Sequence, residues 1–222
     1  MSKGKRIRAQ RGVVPPPVGK KQPLDRRWWI GGAALLALVV VGVAVAAIRS
    51  SGQAAKPVHV EFAQLPGLQD GPPPWNNGAG ELQDHLALLH LDPLAQEALA
   101  FHIHQHLDVY VNGKRVTVPP SIGILGSSFI TEVHTHQTDG VIHVESAQNR
   151  PYALAQFFGE WSVRLSGSCL GRYCGQLHWW LNGKPQTGNP ADLVLKAHQE
   201  IVVAAGKAPT RIPSSYAFPA GE

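Results

Sequence analysis

Residues 101–118 read Phe101-His-Ile-His-Gln-His-Leu-Asp-Val-Tyr-Val-Asn-Gly-Lys-Arg-Val-Thr-Val118. In an extended chain every second side chain points to the same face. Phe101, Ile103, Leu107, Val109 and Val111 therefore form one side, and His102, His104, His106, Asp108 and Tyr110 the other. Asn112-Gly113 suits a two-residue hairpin turn, because both central positions take positive φ, and Arg115–Val118 supplies the return strand. The stretch predicts a strand with an apolar back and a front of three imidazoles.

Further along, a second strand pair is expected from Phe129 to His136 and from Val141 to Ser146, around Asp139-Gly140. Two registers fit. A two-residue turn sets His136 opposite His143 and His134 opposite Glu145. A four-residue turn sets His134 opposite His143 and Glu132 opposite Glu145. The shift between them is even, so His134, His136, His143 and Glu145 share a face in both. A third turn, Asn182-Gly183, closes a strand holding His178, Trp179 and Trp180, and Ile201–Ala205 reads as a last, buried strand. The repeat of Val111-Asn-Gly-Lys114 in Leu181-Asn-Gly-Lys184 hints at a duplicated hairpin. Leu82, Leu86 and Leu89 have helical spacing. Asp92-Pro93 has the chemistry of a further helical turn. Leu154, Phe157, Phe158 and Trp161, after Pro151, predict an amphipathic helix. The expected fold class is α+β and β-rich: an antiparallel sandwich or partly open barrel with two or three short helices, preceded by one transmembrane helix.

That last element comes from the N-terminus. Ile30–Ile48 is nineteen residues without charge or strongly polar side chain, flanked by Trp28 and Trp29. Such a helix nearly spans the ~30 Å hydrocarbon core. Residues 1–27 hold nine Lys/Arg against Asp25 alone, a balance of +8, whereas 28–222 hold eleven basic against fourteen acidic residues, a balance of −3. Positive charge stays inside, so the expected order is a cytoplasmic tail over 1–27 and a single-pass membrane anchor over 28–48. Then follow a Pro/Gly-rich stalk over 49–80, an extracytoplasmic His-rich domain over 81–206 and a C-terminal tail over 207–222. The competing reading of the apolar run is a cleaved signal peptide. The basic charge belongs to the tail, so the outer segment has no electrostatic footprint for nucleic acid. Outside a cell membrane, Cys169 and Cys174 are expected to form a disulfide.

Histidine carries the chemistry: eleven are present, and His102, His104, His106, His134, His136 and His143 fall on two strand faces. Imidazoles on opposed strands are close enough for two nitrogens to reach one ion at about 2.0–2.1 Å. Met1 is the only methionine, so the ligand set suits Cu(II) or Zn(II) rather than Cu(I), with Glu145 or Glu132 completing it. Asp108 and Asp139 are candidates to hold the second ring nitrogens. His59, His85, His90, His178 and His198 are scattered, and read as exposed or as hydrogen-bonded in the core.

The run from Phe101 to Val109, His134-Thr-His136, Gly140-Val-Ile-His-Val-Glu-Ser146, Cys169-Leu-Gly-Arg-Tyr-Cys174 and Ala197-His-Gln-Glu-Ile-Val-Val203 resemble a group of uncharacterised bacterial membrane-anchored proteins. The resemblance covers residues 75–206; Val133 and Gln137 stand where that pattern has Leu and Asp. It implies a shared domain and no reaction. Phe101-His-Ile-His104 is also similar to the copper-ligand strand of Cu/Zn superoxide dismutases, without the bridging-histidine segment of that family. Cupin spacing fails, because Gly140 and Val141 stand where a Glu is needed. Three functions follow: a membrane-anchored metal-binding module, a metalloenzyme of oxidoreductase or hydrolase type with Glu145 as base, or a structural module whose Trp179-Trp180 pair meets a partner protein. No Ser/His/Asp order, phosphate loop or paired-carboxylate spacing selects a reaction.

Overall fold

Eleven consecutive residues without Gly or Pro, alternating apolar and polar over most of their length, make Phe101–Val111 the longest strand among the described residues. The computed structural model describes residues 58–219; the tail, the apolar run at 28–48 and the first part of the expected stalk lie outside them. No helix among the described residues is long and apolar enough to cross a membrane.

The strands in chain order are β1 (Pro93–Leu94), β2 (Phe101–Val111), β3 (Lys114–Val116), β4 (Ile124–Leu125), β5 (Phe129–Thr131) and β6 (Val133–His134), followed by β7 (Val141–Ser146), β8 (Cys169–Leu170), β9 (Tyr173–Cys174), β10 (Leu177–Leu181), β11 (Lys184–Gln186) and β12 (Glu200–Ala205). Among the described residues, two short α-helices, α1 (Leu82–Leu89) and α2 (Leu154–Glu160), join them. Seven strands form one open sheet in the order β11-β10-β12-β2-β7-β6, with β3 also on β2; β1-β5-β4 form a second sheet and β8-β9 a third. The β-rich class is as expected. The all-antiparallel arrangement is corrected at one pair, β12 with β2, which is parallel. Parallel neighbours need a long crossover, and here the chain passes through 112–199 between them.

Both Asn-Gly turns form as two-residue hairpins. Val111 pairs with Lys114 and Leu181 with Lys184, and Asn112, Gly113, Asn182 and Gly183 all have φ between 51° and 78°. β12 lies between the strands that lead into these turns, and all six of its residues are buried.

The apolar back of the sheet (Leu107, Val109, Val111, Ile142, Val144, Ile201, Val203) shares one core with Phe157, Phe158 and Trp161 of the α2 segment. Full burial of each such side chain contributes about 1.5–3 kcal/mol. Three expectations are corrected here. α2 has no solvent face: all seven residues are buried. Gln156 accepts from the Ala153 N–H and donates to the Leu89 carbonyl, and Glu160 bonds Thr131. Asp92-Pro93 starts no helical turn: Pro93 and Leu94 pair with Thr131 and Ile130, and the Asp92 N–H donates to Glu132. From Val58 on, the expected stalk packs into the core through Val60, Phe62, Leu65 and Trp75, the last edge-on to Trp161 at 5.6 Å. Cys169 and Cys174 are disulfide-bonded. Of the Trp pair, Trp179 is buried in the core.

Gly140 sets the crossing of β2 and β7. Its φ is +91°, and a Cβ there would stand 2.5 Å from the Leu107 carbonyl oxygen. Gly140→Ala is expected to destabilise the fold by about 2–4 kcal/mol, from the sum of backbone strain and a clash with main chain. Gly188 has φ +84° with nothing within 4 Å of its Cβ position, so Gly188→Ala shows the strain alone, about 1 kcal/mol. Urea denaturation of both variants checks this; equal losses would mean that the close approach contributes nothing.

Candidate metal centre

Three adjacent strands bring the histidines together. β7 lies between β2 and β6, with His143 opposite His104 on one side and opposite His134 on the other. This is the longer-turn register of the two that the sequence allowed. The three imidazoles form a row across the sheet, with ring centroids 4.4 Å (His104–His143) and 5.4 Å (His134–His143) apart. One rung away, His102 is opposite Glu145. On the opposite rung, His136 follows β6 and its ring meets His143 edge-on at 4.6 Å.

The nitrogens converge. His102 Nε2 is 2.9 Å from His104 Nε2, and His134 Nε2 is 3.2 Å from His136 Nε2. Two nitrogens bound to one ion at 2.0–2.1 Å and about 90–110° apart are ~2.9–3.4 Å from each other. Glu145 reaches both sides: Oε1 lies 3.0 Å from His102 Nε2 and 3.3 Å from His143 Nδ1, and Oε2 lies 4.0 Å from His134 Nε2. That second oxygen is buried and has no hydrogen-bond donor.

Two groups of ligand atoms, His102/His104/His143/Glu145 and His134/His136/His143/Glu145, lie within 4.8 Å of one another and can hold a metal ion. His134 is fully buried, and His104 and His143 nearly so, while His102 and His136 stand at the rim, with side chains 35% and 36% exposed.

Burial sets the protonation states. Desolvation, reinforced by the neighbouring imidazoles, lowers His104 to about 4 and His134 and His143 to about 3. At neutral pH these rings keep their lone pairs, as ligands must. His134 Nδ1 faces the Thr131 carbonyl at 2.9 Å. A carbonyl only accepts, so Nδ1 carries the proton and the Nε2 lone pair points into the cluster. Burial, then the charge of Glu97, raises Glu145 above the usual carboxylate range, with His102 and His136 pulling the other way.

His106 lies apart from these groups. Its rung places Val141 of β7 next to it, and its ring is held between β12 and the turn before β7. Nδ1 is 2.9 Å from Glu200 on β12, Nε2 is 2.9 Å from the Asp139 carbonyl, and Tyr216 stacks on its face at 4.0 Å. Burial alone would lower its pKa, but the hydrogen bond and charge of Glu200, with Asp108 and Asp139, outweigh it and the net shift is upward. Both nitrogens therefore serve as donors. His106, Asp108 and Glu200 form a third group with ligand spacing, but Arg115 already binds Asp108 at 2.7 Å.

The expected supporting residues differ as well. Asp108 and Asp139 hold no ring of the five-histidine cluster; the Thr131 carbonyl does that for His134. Glu132 faces Arg150, Tyr152 and the Asp92 N–H at 2.7–3.1 Å, so both its oxygens have donors, and it belongs to neither group. Glu97, 3.2 Å from His136 Nε2, is the acid that sequence reasoning missed. It sits in an irregular stretch with no periodic signal. Among the scattered histidines, His85 is buried between the Gly159 and Pro66 carbonyls, and His59 is exposed beside Glu61.

The fold and site thus define a β-rich domain with a cluster of imidazoles, three of them held neutral by burial, and one carboxylate that together could hold a metal ion. The chain matches no known protein family, no curated protein and no solved structure.

Proposed function

We propose that this protein is a metal-binding module that captures Cu(II) or Zn(II) through His102, His104, His134, His136, His143 and Glu145. The observation that carries it is the gathering of five imidazoles, from three adjacent strands and the segment after β6, into two overlapping groups that share His143 and Glu145, a buried carboxylate with one oxygen that lacks a donor. The donor set of nitrogen and oxygen without thioether favours these two ions, copper by intrinsic affinity. The apolar run at 28–48 and the basic segment before it support display of the domain outside a membrane, in supply, buffering or sensing of the metal. Acid releases the ion by protonating its ligands.

The test is titration of the purified full chain, stripped of metal, with Zn(II) and Cu(II) against a chelating competitor at pH 7.5. Stoichiometric uptake is expected, and the variant carrying both His134→Ala and His136→Ala should lose tight binding capacity. A variant titration curve identical to the wild type removes the reading.

A further inference from the structure

We propose that the cluster is a dinuclear centre, two ions held on either side of β7 and bridged by the carboxylate of Glu145. This rests on the metal-binding reading above and adds to it the number of ions and the role of one residue. One ion with ligands at 2.0–2.1 Å spans at most about 4.2 Å from ligand to ligand. The six candidate side chains do not fit within that span as one set. Their ligand atoms fall into two groups, and only His143 and Glu145 belong to both.

The sheet explains the division. His102 and His104 belong to β2 and His134 to β6, while β7 runs between them; two strand spacings put the outer backbones ~9.6 Å apart. Each outer segment offers an i, i+2 pair whose Nε2 atoms already stand at the separation of two ligands on one ion, 2.9 Å on one side and 3.2 Å on the other. Glu145, on the central strand, points one oxygen to each pair: Oε1 to His102, and Oε2 to His134. The carboxylate is 96% buried, and Oε2 has no donor. A single ion on the β2 side would leave that oxygen buried and without a donor beside His134. A second ion on the β6 side gives it a partner. Carboxylate-bridged ions in such sites lie about 3.5–4 Å apart; His143, whose ring offers one ligand atom to either group, completes one of the two.

His102 and His136 are the useful probes. Each belongs to only one group, and each is partly exposed, so replacement leaves the core intact. The experiment loads the metal-free full chain with Cu(II), measures copper per chain, and records the electron paramagnetic resonance spectrum at saturation. Two equivalents are expected, with integrated intensity below that of two isolated spins because the bridge couples them. His102→Gln should weaken one equivalent at least tenfold and spare the other, and His136→Gln should do the same for the opposite one. In both variants a half-loaded sample regains the full intensity of an isolated ion. Saturation at one equivalent overturns the dinuclear centre and leaves the metal-binding reading standing. Two equivalents with full, uncoupled intensity overturn the bridge. No tight copper at all overturns both readings.

Discussion

Metal-free chain carrying His134→Gln and His143→Gln is expected to resist acid better than the wild type, by about 4 kcal/mol when stability at pH 5 is compared with stability at pH 8. The two rings titrate near 3 in the fold, against 6.5 for a free imidazole, because burial and neighbouring imidazoles oppose their charge. A depressed folded pKa means that the unfolded chain takes up protons first as pH falls below 6.5. Stability is therefore lost from there down to the folded pKa, and at pH 5 each group contributes about 2 kcal/mol of that loss. Glutamine does not titrate. Other groups shift too: His106 is raised by Glu200, and Glu160 lies well above the usual carboxylate range because it is fully buried. Both favour the fold more at low pH. They are present in both proteins and cancel from the difference, as does any packing loss that is independent of pH. Urea denaturation of both chains at the two pH values reads the result. The same pH dependence in both would show that these imidazoles are not held neutral by the fold.

The same two residues show how far the sequence could be read. Period two placed His134, His136, His143 and Glu145 on one face in either register, because the alternatives differed by an even shift. The choice between them came from contacts across the sheet. The carbonyl of Gly140, a residue with positive φ, accepts from the Leu107 N–H, and that of its neighbour Asp139 accepts from His106 Nε2. Those contacts hold the turn against β2, beside the β6–β7 register that pairs His134 with His143. Pairing between β2 and β7 joins residues some forty apart in the chain, and nothing local specifies it.

His106 shows the converse. Alternation put it on the correct face, but its partner is decided by the neighbouring strand, and β12 arrives with Glu200 just where β7 offers only Val141. Helix α2 misled in another way. Its spacing of apolar residues matches a half-exposed helix, and its buried polar side chains find partners from elsewhere, the Leu89 carbonyl for Gln156 and Thr131 for one oxygen of Glu160. Polar residues reveal their burial only through partners that the sequence does not place.

Glu145→Gln separates what the site needs from what the fold needs, and the two effects are expected to have opposite signs. In metal-free protein at pH 8 the variant should be more stable than the wild type by about 1–2 kcal/mol, the penalty for a buried charged group short of donors. The direction follows from linkage. Glu145 has a raised folded pKa, caused first by burial and then by Glu97, so its contribution favours the fold at low pH and is lost as pH rises through the folded value. An amide of the same shape has no such loss, and its gain should shrink toward pH 4. Metal binding moves the other way. The amide brings no negative charge to the ion and no bridging pair of oxygens, so affinity for Zn(II) should fall at least a hundredfold, about 2.7 kcal/mol or more. Competition titration and urea denaturation on the same preparation read both effects. A Glu145→Gln chain that binds zinc as tightly as the wild type would make the carboxylate a spectator, and one that is less stable without metal would make it a structural residue of the sheet.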